Sequence, residues 1–339
     1  MKKNNGYKNE SERRSFFRSE SATATVIGAV LLLGIIFTVF AIIRIDAVPE
    51  WKNDAEYSHM DDIGEDMADL KSKIDMMSTI LALNSNSSYI NSSNPSSLAP
   101  PLVMNVPFHM GGGEIPFIDS IKSSGNLAVN KDRYVMSIIV NPEDDEPYFQ
   151  SINCGTINYS SQNRYYVDQV FSYENGALIL KQKDQAVMML YPSILFSNVS
   201  TNENNVSNYD VSINAIRVLQ KPYIPPDIIS SNSRCSLRLT GIGYQPLYDS
   251  EIKSSGNIDR FVLTITTEYP KVWELYFEKI MENAGISQDK YNLTNESKNV
   301  HLIFPEISDP ASENESTLEI KRLYISETEI KAEPEIGLN

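Results

Sequence analysis

Hydrophobic positions change their spacing along the chain, and each spacing predicts a different element. From Ser21 to Ile43, "SATATVIGAVLLLGIIFTVFAII", no charged residue occurs. A helix over this run reaches roughly 34 Å, enough to cross a hydrocarbon core of about 30 Å. It is apolar on all sides, whereas a soluble core helix is apolar along one stripe. A secretory signal carries a shorter apolar core, about 7–15 residues, ending in a small-x-small cleavage site. The run here ends in "IIRIDAVPE", which offers no such site. Lys2, Lys3, Lys8, Arg13, Arg14 and Arg18 precede it, against Glu10 and Glu12. Basic flanks stay cytoplasmic, so the expected topology is a single-pass cell-membrane protein, lipid-embedded over 21–43. Its amino end is then cytoplasmic and its carboxy-terminal head extracellular.

Beyond Pro49, which is expected to interrupt or kink the helix, the period becomes three and four. Met60, Ile63, Met67, Leu70, Ile74, Met77 and Leu81 form an a/d stripe opposite Asp61, Asp62, Glu65, Asp66, Asp69, Lys71 and Lys73. Such a stripe packs either on helices of other subunits or on the protein's own head. The polar stretch "NSNSSYINSSNPSSLAPP" (84–101) reads as a linker or exposed loop. After it the period falls to two, and "LVMNVPFHM", "RYVMSIIV", "YYVDQVF", "GALILKQ", "YDVSINAIRVL", "SLRLTGIGY", "RFVLTITTE", "NVHLIFPEI" and "TLEIKRLYIS" read as strands. Asn175-Gly176 marks a tight hairpin. One helix interrupts them, "VWELYFEKIMENAG", with Trp273, Phe277, Ile280 and Met281 on one side and Gly285 as its stop. "IKSSGN" occurs twice, at 121–126 and 252–257, each copy followed by a β-rich run. The repeat suggests two related β units joined near "KPYIPPD".

The expected class is therefore α+β: a long N-terminal transmembrane stem helix followed by a β-rich extracellular head, divided into two related β units. The expected segments are a basic cytoplasmic leader (1–19), the stem (20–45), an amphipathic helical extension (46–83) and a linker (84–101). A first β unit (102–225) and a second with one helix (226–339) follow.

Charge and chemistry narrow the function. The chain of 339 residues carries a net charge of −15, and its basic residues gather before the stem, so the head is more acidic still. That excludes nucleic acid as a partner. Cys154 and Cys235 have no C-x-x-C pairing; outside the cell they form one disulfide or remain two buried thiols. His59, His109 and His301 belong to no H-E-x-x-H or H-x-H pair, and no G-x-S-x-G elbow occurs. "GGGEIP" at Gly111 lacks the rest of a phosphate loop and reads as a turn. "NPEDDEPY", holding Asp144 and Asp145, reads as a solvated loop with calcium as the alternative. "NRYYVDQVFSY" reads as ordinary β-sheet tyrosine, with a sticky face for sugar or a subunit as the alternative. No catalytic residue, cofactor or metal site is expected. Asn-x-Ser/Thr sequons at Asn86, Asn91, Asn158, Asn198, Asn205, Asn292, Asn295 and Asn314 are candidate glycan acceptors.

"TVIGAVLLLGIIFTVFAII" resembles the amino-terminal stem of archaeal type IV pilins and pilin-like proteins. The continuation "VPEWKNDAEYSHMDDIGEDMADLKSKI", with "GGG-x-IPF…SSG-x-L" at Gly111 to Leu127 and "YENGA" at Tyr173 to Ala177, is similar to a group of uncharacterised archaeal membrane proteins carrying that stem. The resemblance implies that a prepilin peptidase cuts after a basic and a small residue, between Ser19 and Glu20, following Arg18. It also implies that stems pack into a filament, although Glu20, Ser21 and Ala22 stretch the usual spacing before "TATVIG". The expectation is a pilin-like structural or interaction subunit without catalytic activity. Its alternative is a single-span surface protein that never polymerises and binds carbohydrate or calcium.

Overall fold

A computed structural model of the chain describes residues 17–88, 101–111, 123–143, 145–201, 207–219, 227–253, 257–306 and 318–336. The chain divides into two units, Met1–Asn53 and Asp54–Asn339.

In the first unit, helix α1 (Phe17–Ile42) leads into a π-helical turn (Ile43–Ala47) and the start of α2 (Val48–Ser88). The wide turn has a local cause. Pro49 has no N–H to give the carbonyl of Ile45, and its ring crowds that carbonyl. The N–H of Val48 instead reaches back five residues to the carbonyl of Ile43, the pattern of a π-bulge. Proline therefore widens the helix without ending it, and Thr23–Ser85 is one helical span. Apolar side chains along α1 are exposed, with Leu31 at 63% and Phe37 at 64%. This helix is long and apolar enough to cross a membrane.

The second unit holds the rest of α2 and strands β1 (Val103–His109), β2 (Ser124–Val129), β3 (Val135–Pro142), β4 (Tyr148–Asn153), β5 (Ile157–Gln162), β6 (Gln169–Glu174), β7 (Ala177–Gln182) and β8 (Gln185–Leu190). It continues with β9 (Ile194–Thr201), β10 (Ser207–Leu219), β11 (Asp227–Ser231), β12 (Arg234–Asp249), helix α3 (Ser250–Lys253) and β13 (Ile258–Thr266). Helix α4 (Pro270–Asn283) and strands β14 (Asn292–Glu296), β15 (Asn299–Phe304) and β16 (Leu318–Ile336) complete it. The α+β class holds. One sheet has six strands in the order β11-β2-β5-β6-β7-β8; the other has ten, on a path β1-β12-β16-β13-β15-β14 with β10, β9, β3 and β4 paired beside it.

The division into two β units at 225/226 is not how the strands pair. β1 pairs with β12, β2 with β11, β3 with β13 and β10 with β16, each pair joining the two expected halves. The repeat has a different meaning. Its copies "RYVMSI" and "RFVLTI" lie side by side as β3 and β13, with Ile138 opposite Leu263 and Ser137 opposite Thr264. Residues 254–256 of the second "IKSSGN" lie outside the described residues.

The heptad stripe is the centre of a core. Ile63, Met67, Leu70, Ile74 and Met77 are fully buried against Tyr159, Phe171 and Tyr173 of the six-stranded sheet and Leu237 and Leu239 of β12. At about 25 cal/mol per Å² of apolar surface, burying such side chains stabilises by roughly 1.5–3 kcal/mol each. The stripe is therefore occupied by the protein's own head, the second of the two packings its spacing allows. Polar anchors fix the same helix. Ser78 hydrogen-bonds Thr328 and Asn214 at 2.8 Å, and the carboxylate of Glu56 accepts backbone N–H groups of Arg164, Tyr165 and Tyr166.

A second core gathers α4, β3, β9, β10, β13, β15 and β16 around Trp273, Phe277, Phe261 and Phe304. Cys154 belongs to this cluster and Cys235 to the α2 cluster; both are buried and free, the second of the two alternatives the sequence leaves open. Asn175 (φ 48°) and Gly176 (φ 85°) form the expected tight turn between β6 and β7.

Candidate functional site

The six-stranded sheet has two unlike faces, because side chains alternate along a strand. Leu127, Tyr159, Phe171 and Tyr173 point into the α2 core. Gly125 lets Tyr159 lie there: a Cβ at that position would come within 2.4 Å of the Tyr159 ring. The alternate residues of the same strands line a groove of about 550 Å³, walled by the turn before α4. Its amide donors and acceptors are Asn126, Asn158 and Gln162, and its hydroxyls are Ser160, Ser230 and Tyr269.

The groove floor carries two hydrogen-bonded polar groups. Ser172 donates to Asn158 Oδ1 at 2.7 Å, and Asn158 Nδ2 donates to the Asp132 carboxylate. Ser230 likewise donates to Asn126 Oδ1. Behind it stands a buried carboxyl. Glu174 Oε2 accepts from Thr267 Oγ1 (2.7 Å) and Trp273 Nε1 (2.8 Å), and Thr267 Oγ1 in turn accepts the N–H of Tyr269 (3.0 Å). Burial pushes the Glu174 pKa up to about 7, against those two hydrogen bonds, which lower it. Its Oε1 has no hydrogen-bond partner among the described residues. Glu174 thus ties the turn that carries Tyr269 to the hairpin β6–β7. Burial also raises the pKa of Tyr269, keeping its hydroxyl protonated.

Two histidines distant in sequence meet on one carboxylate's surroundings. His109 bonds Asp66 through its backbone N–H (2.8 Å) and Nδ1 (2.9 Å). His59 Nε2 lies 3.3 Å from the Tyr159 hydroxyl. Burial lowers the His59 pKa, so this imidazole is held neutral. His301 stands apart, 2.9 Å from Thr264 Oγ1. Among the described residues no group of three His, Cys, Asp or Glu side chains is placed to hold a metal ion.

No family model, curated protein or solved structure matches this chain.

The sequence-predicted positions fare differently. Ser19 and Glu20 lie in α1, within its first turn. Asn158 is buried and both ends of its amide are hydrogen-bonded, so this sequon is corrected: in the folded chain its amide nitrogen is not free to carry a glycan. Asn198 and Asn292 are exposed on β9 and β14, and Asn295 is half-buried with its amide on Glu274. Asn91, Asn205 and Asn314 lie outside the described residues, as do the side chain of Asn86, Asp144, and most of "GGGEIP" and of the 84–101 linker. Of the tyrosine stretch, Tyr173 enters the core while Tyr165 is exposed, so it is not one continuous face. The groove itself was not singled out from sequence. Its residues come from β2, β5, β6, β7, β11, the β2–β3 connection at 131–132 and the turn at 267–269, and no spacing along the chain joins them.

Proposed function

We propose that this protein is a membrane-stemmed surface subunit of pilin-like type, without catalytic activity, whose β-rich head lies outside the cell. The observation that carries the reading is α1: an apolar helix with no polar face, preceded by basic residues. Such a surface needs lipid or other apolar helices around it. With the heptad stripe occupied in the head, the stem remains of the two candidate contacts between subunits. A cut between Ser19 and Glu20 would remove Arg13, Arg14 and Arg18 and free the stem to pack with others; an uncut chain keeps it as a single-span anchor. The test is chemical cross-linking and shearing of native cells. The protein should appear in filaments or large envelope assemblies, and recovery only as a freely diffusing monomer would overturn the reading.

The groove favours a second reading, a single-span surface protein that binds a ligand on its head and never polymerises. Solubilised protein that stays monomeric under the same cross-linking, yet binds a defined ligand, would favour it over the first.

A further inference from the structure

The charges around the groove are unevenly used. Its two carboxylates are engaged: Asp132 accepts from Asn158, and Glu268 is paired with Lys298 at 2.6 Å. Its two lysines, Lys131 and Lys181, are exposed and make no ion pair among the described residues. A smaller cavity of about 260 Å³ adjoins it, sharing Lys131 and Asp132 and adding Arg133 and Arg217. Arg133 is exposed, again with no ion pair among the described residues, while Arg217 is held by Glu327 and Glu329. In a chain of net charge −15, the groove thus sets two ammonium groups without ion pairs among the described residues beside Asp132, which its amide contact leaves charged, and such ammonium groups attract an anion.

The rest of the lining selects what kind of anion fits. Amides and hydroxyls on a preorganised floor offer paired donors and acceptors, which suit vicinal hydroxyl groups. Ala128, Val170 and Ile228 add apolar ground between them, and Ile228 is half exposed, at 52%. A bare inorganic anion would use the ammonium groups and leave the amides, hydroxyls and apolar surface idle. A ligand that uses all of them carries a negative group, many hydroxyls and weakly apolar ring faces.

We propose that this groove binds an acidic glycan, a saccharide bearing carboxylate or sulfate groups. Its anions lie on Lys131 and Lys181, and its hydroxyls on Asn126, Gln162 and Ser160. The inference rests on the head alone and is independent of whether the stem assembles.

The test is calorimetric titration of the full chain in detergent micelles. The probes are a galacturonic acid hexamer, a chondroitin sulfate hexamer, neutral maltohexaose and sodium sulfate. At least one acidic hexamer should bind, weakening as salt is added. Maltohexaose and sulfate should each bind at least tenfold more weakly. Lys131→Gln with Lys181→Gln should cost about tenfold in affinity, since two exposed ammonium contacts contribute about 0.7 kcal/mol each. Both lysines are exposed, so the double variant should keep the thermal midpoint of the parent. A second variant, Gln162→Ala, should weaken the glycan and leave any residual sulfate binding unchanged. The proposal is overturned by no binding of either acidic hexamer, or by equal binding of maltohexaose. Equal binding of sulfate, or full affinity in the double lysine variant, would overturn it as well.

Discussion

Two apolar stretches of helix follow each other in this chain, and they have opposite surroundings. From Val26 to Ile43 the apolar side chains stand exposed around the helix; from Met60 to Met77 they are buried in a stripe. Composition already separates them, since the first has no charged residue and the second carries Asp61, Asp62, Glu65, Asp66, Asp69, Lys71, Lys73 and Asp75 between its apolar positions. Angular distribution says what each needs. A helix apolar on every side needs a solvent without water, while one apolar along a stripe needs a single packed face and can leave Asp61, Asp62 and Glu65 wet. The stripe also has the a/d spacing of a coiled coil, yet a β-sheet and β12 fill its holes. Heptad spacing specifies a narrow apolar face; it does not specify that the partner is a helix.

Charging the stem should give the largest effect. Leu32→Arg with Ile36→Arg costs about 5–7 kcal/mol of insertion, at roughly 2.5–3.5 kcal/mol per arginine at a helix centre. Alkaline extraction should release the variant from membranes, while the denaturation midpoint of the head stays at the parent's value. The converse change belongs to the stripe. Leu70→Ala, at a fully buried position, should destabilise the head by about 2–5 kcal/mol in urea unfolding, with membrane retention unchanged. A head that loses no stability would mean that the stripe packs elsewhere.

Buried charge sharpens the contrast, because the head can hold a carboxyl that the stem has no partners for. Glu174 has a pKa of about 7 in the folded chain against 4.5 ordinarily, so the folded state keeps its proton where the unfolded chain has lost it. Its stabilisation is full below pH 4.5, declines as pH rises and is gone above pH 7. Glu174→Gln keeps an acceptor for Thr267 and Trp273 and does not ionise. At pH 8 it should be more stable than the parent by about 3 kcal/mol, with the gain vanishing by pH 4.5. Unfolding curves across that range check it, and parallel pH profiles for the two proteins would contradict it. The smallest effect belongs to the wet face of α2: Met76→Gln, at a position 53% exposed, should move stability by no more than about 0.5 kcal/mol.

Much of this was legible in local pattern. The stem, the stripe, the Asn175-Gly176 hairpin and the Trp273 helix each depend on residues near one another in sequence, and each stands where the pattern puts it. The second half of β16 was missed because charges fill its outward positions. Glu329, Lys331, Glu333 and Glu335 alternate with Thr328, Ile330, Ala332 and Pro334, and period two persists although hydrophobicity does not. Strand partners were not legible, since β10–β16 and β1–β12 join residues more than a hundred positions apart. Asn158 reads as a surface sequon until its strand is given a buried neighbour on each side. The groove is the extreme case: its polar residues look like ordinary outward-facing positions on separate strands, and only sheet order makes them neighbours.

A permanent stem stays in the mature protein, whereas a discarded signal does not. The intact mass of the native protein, taken from the membrane fraction, tests most directly which of the two the apolar run is. The mature chain should begin at Met1 or, after a cut following Ser19, at Glu20, and in either case retain Val26 to Ile43. A native product that begins at or beyond Ala47 would contradict it.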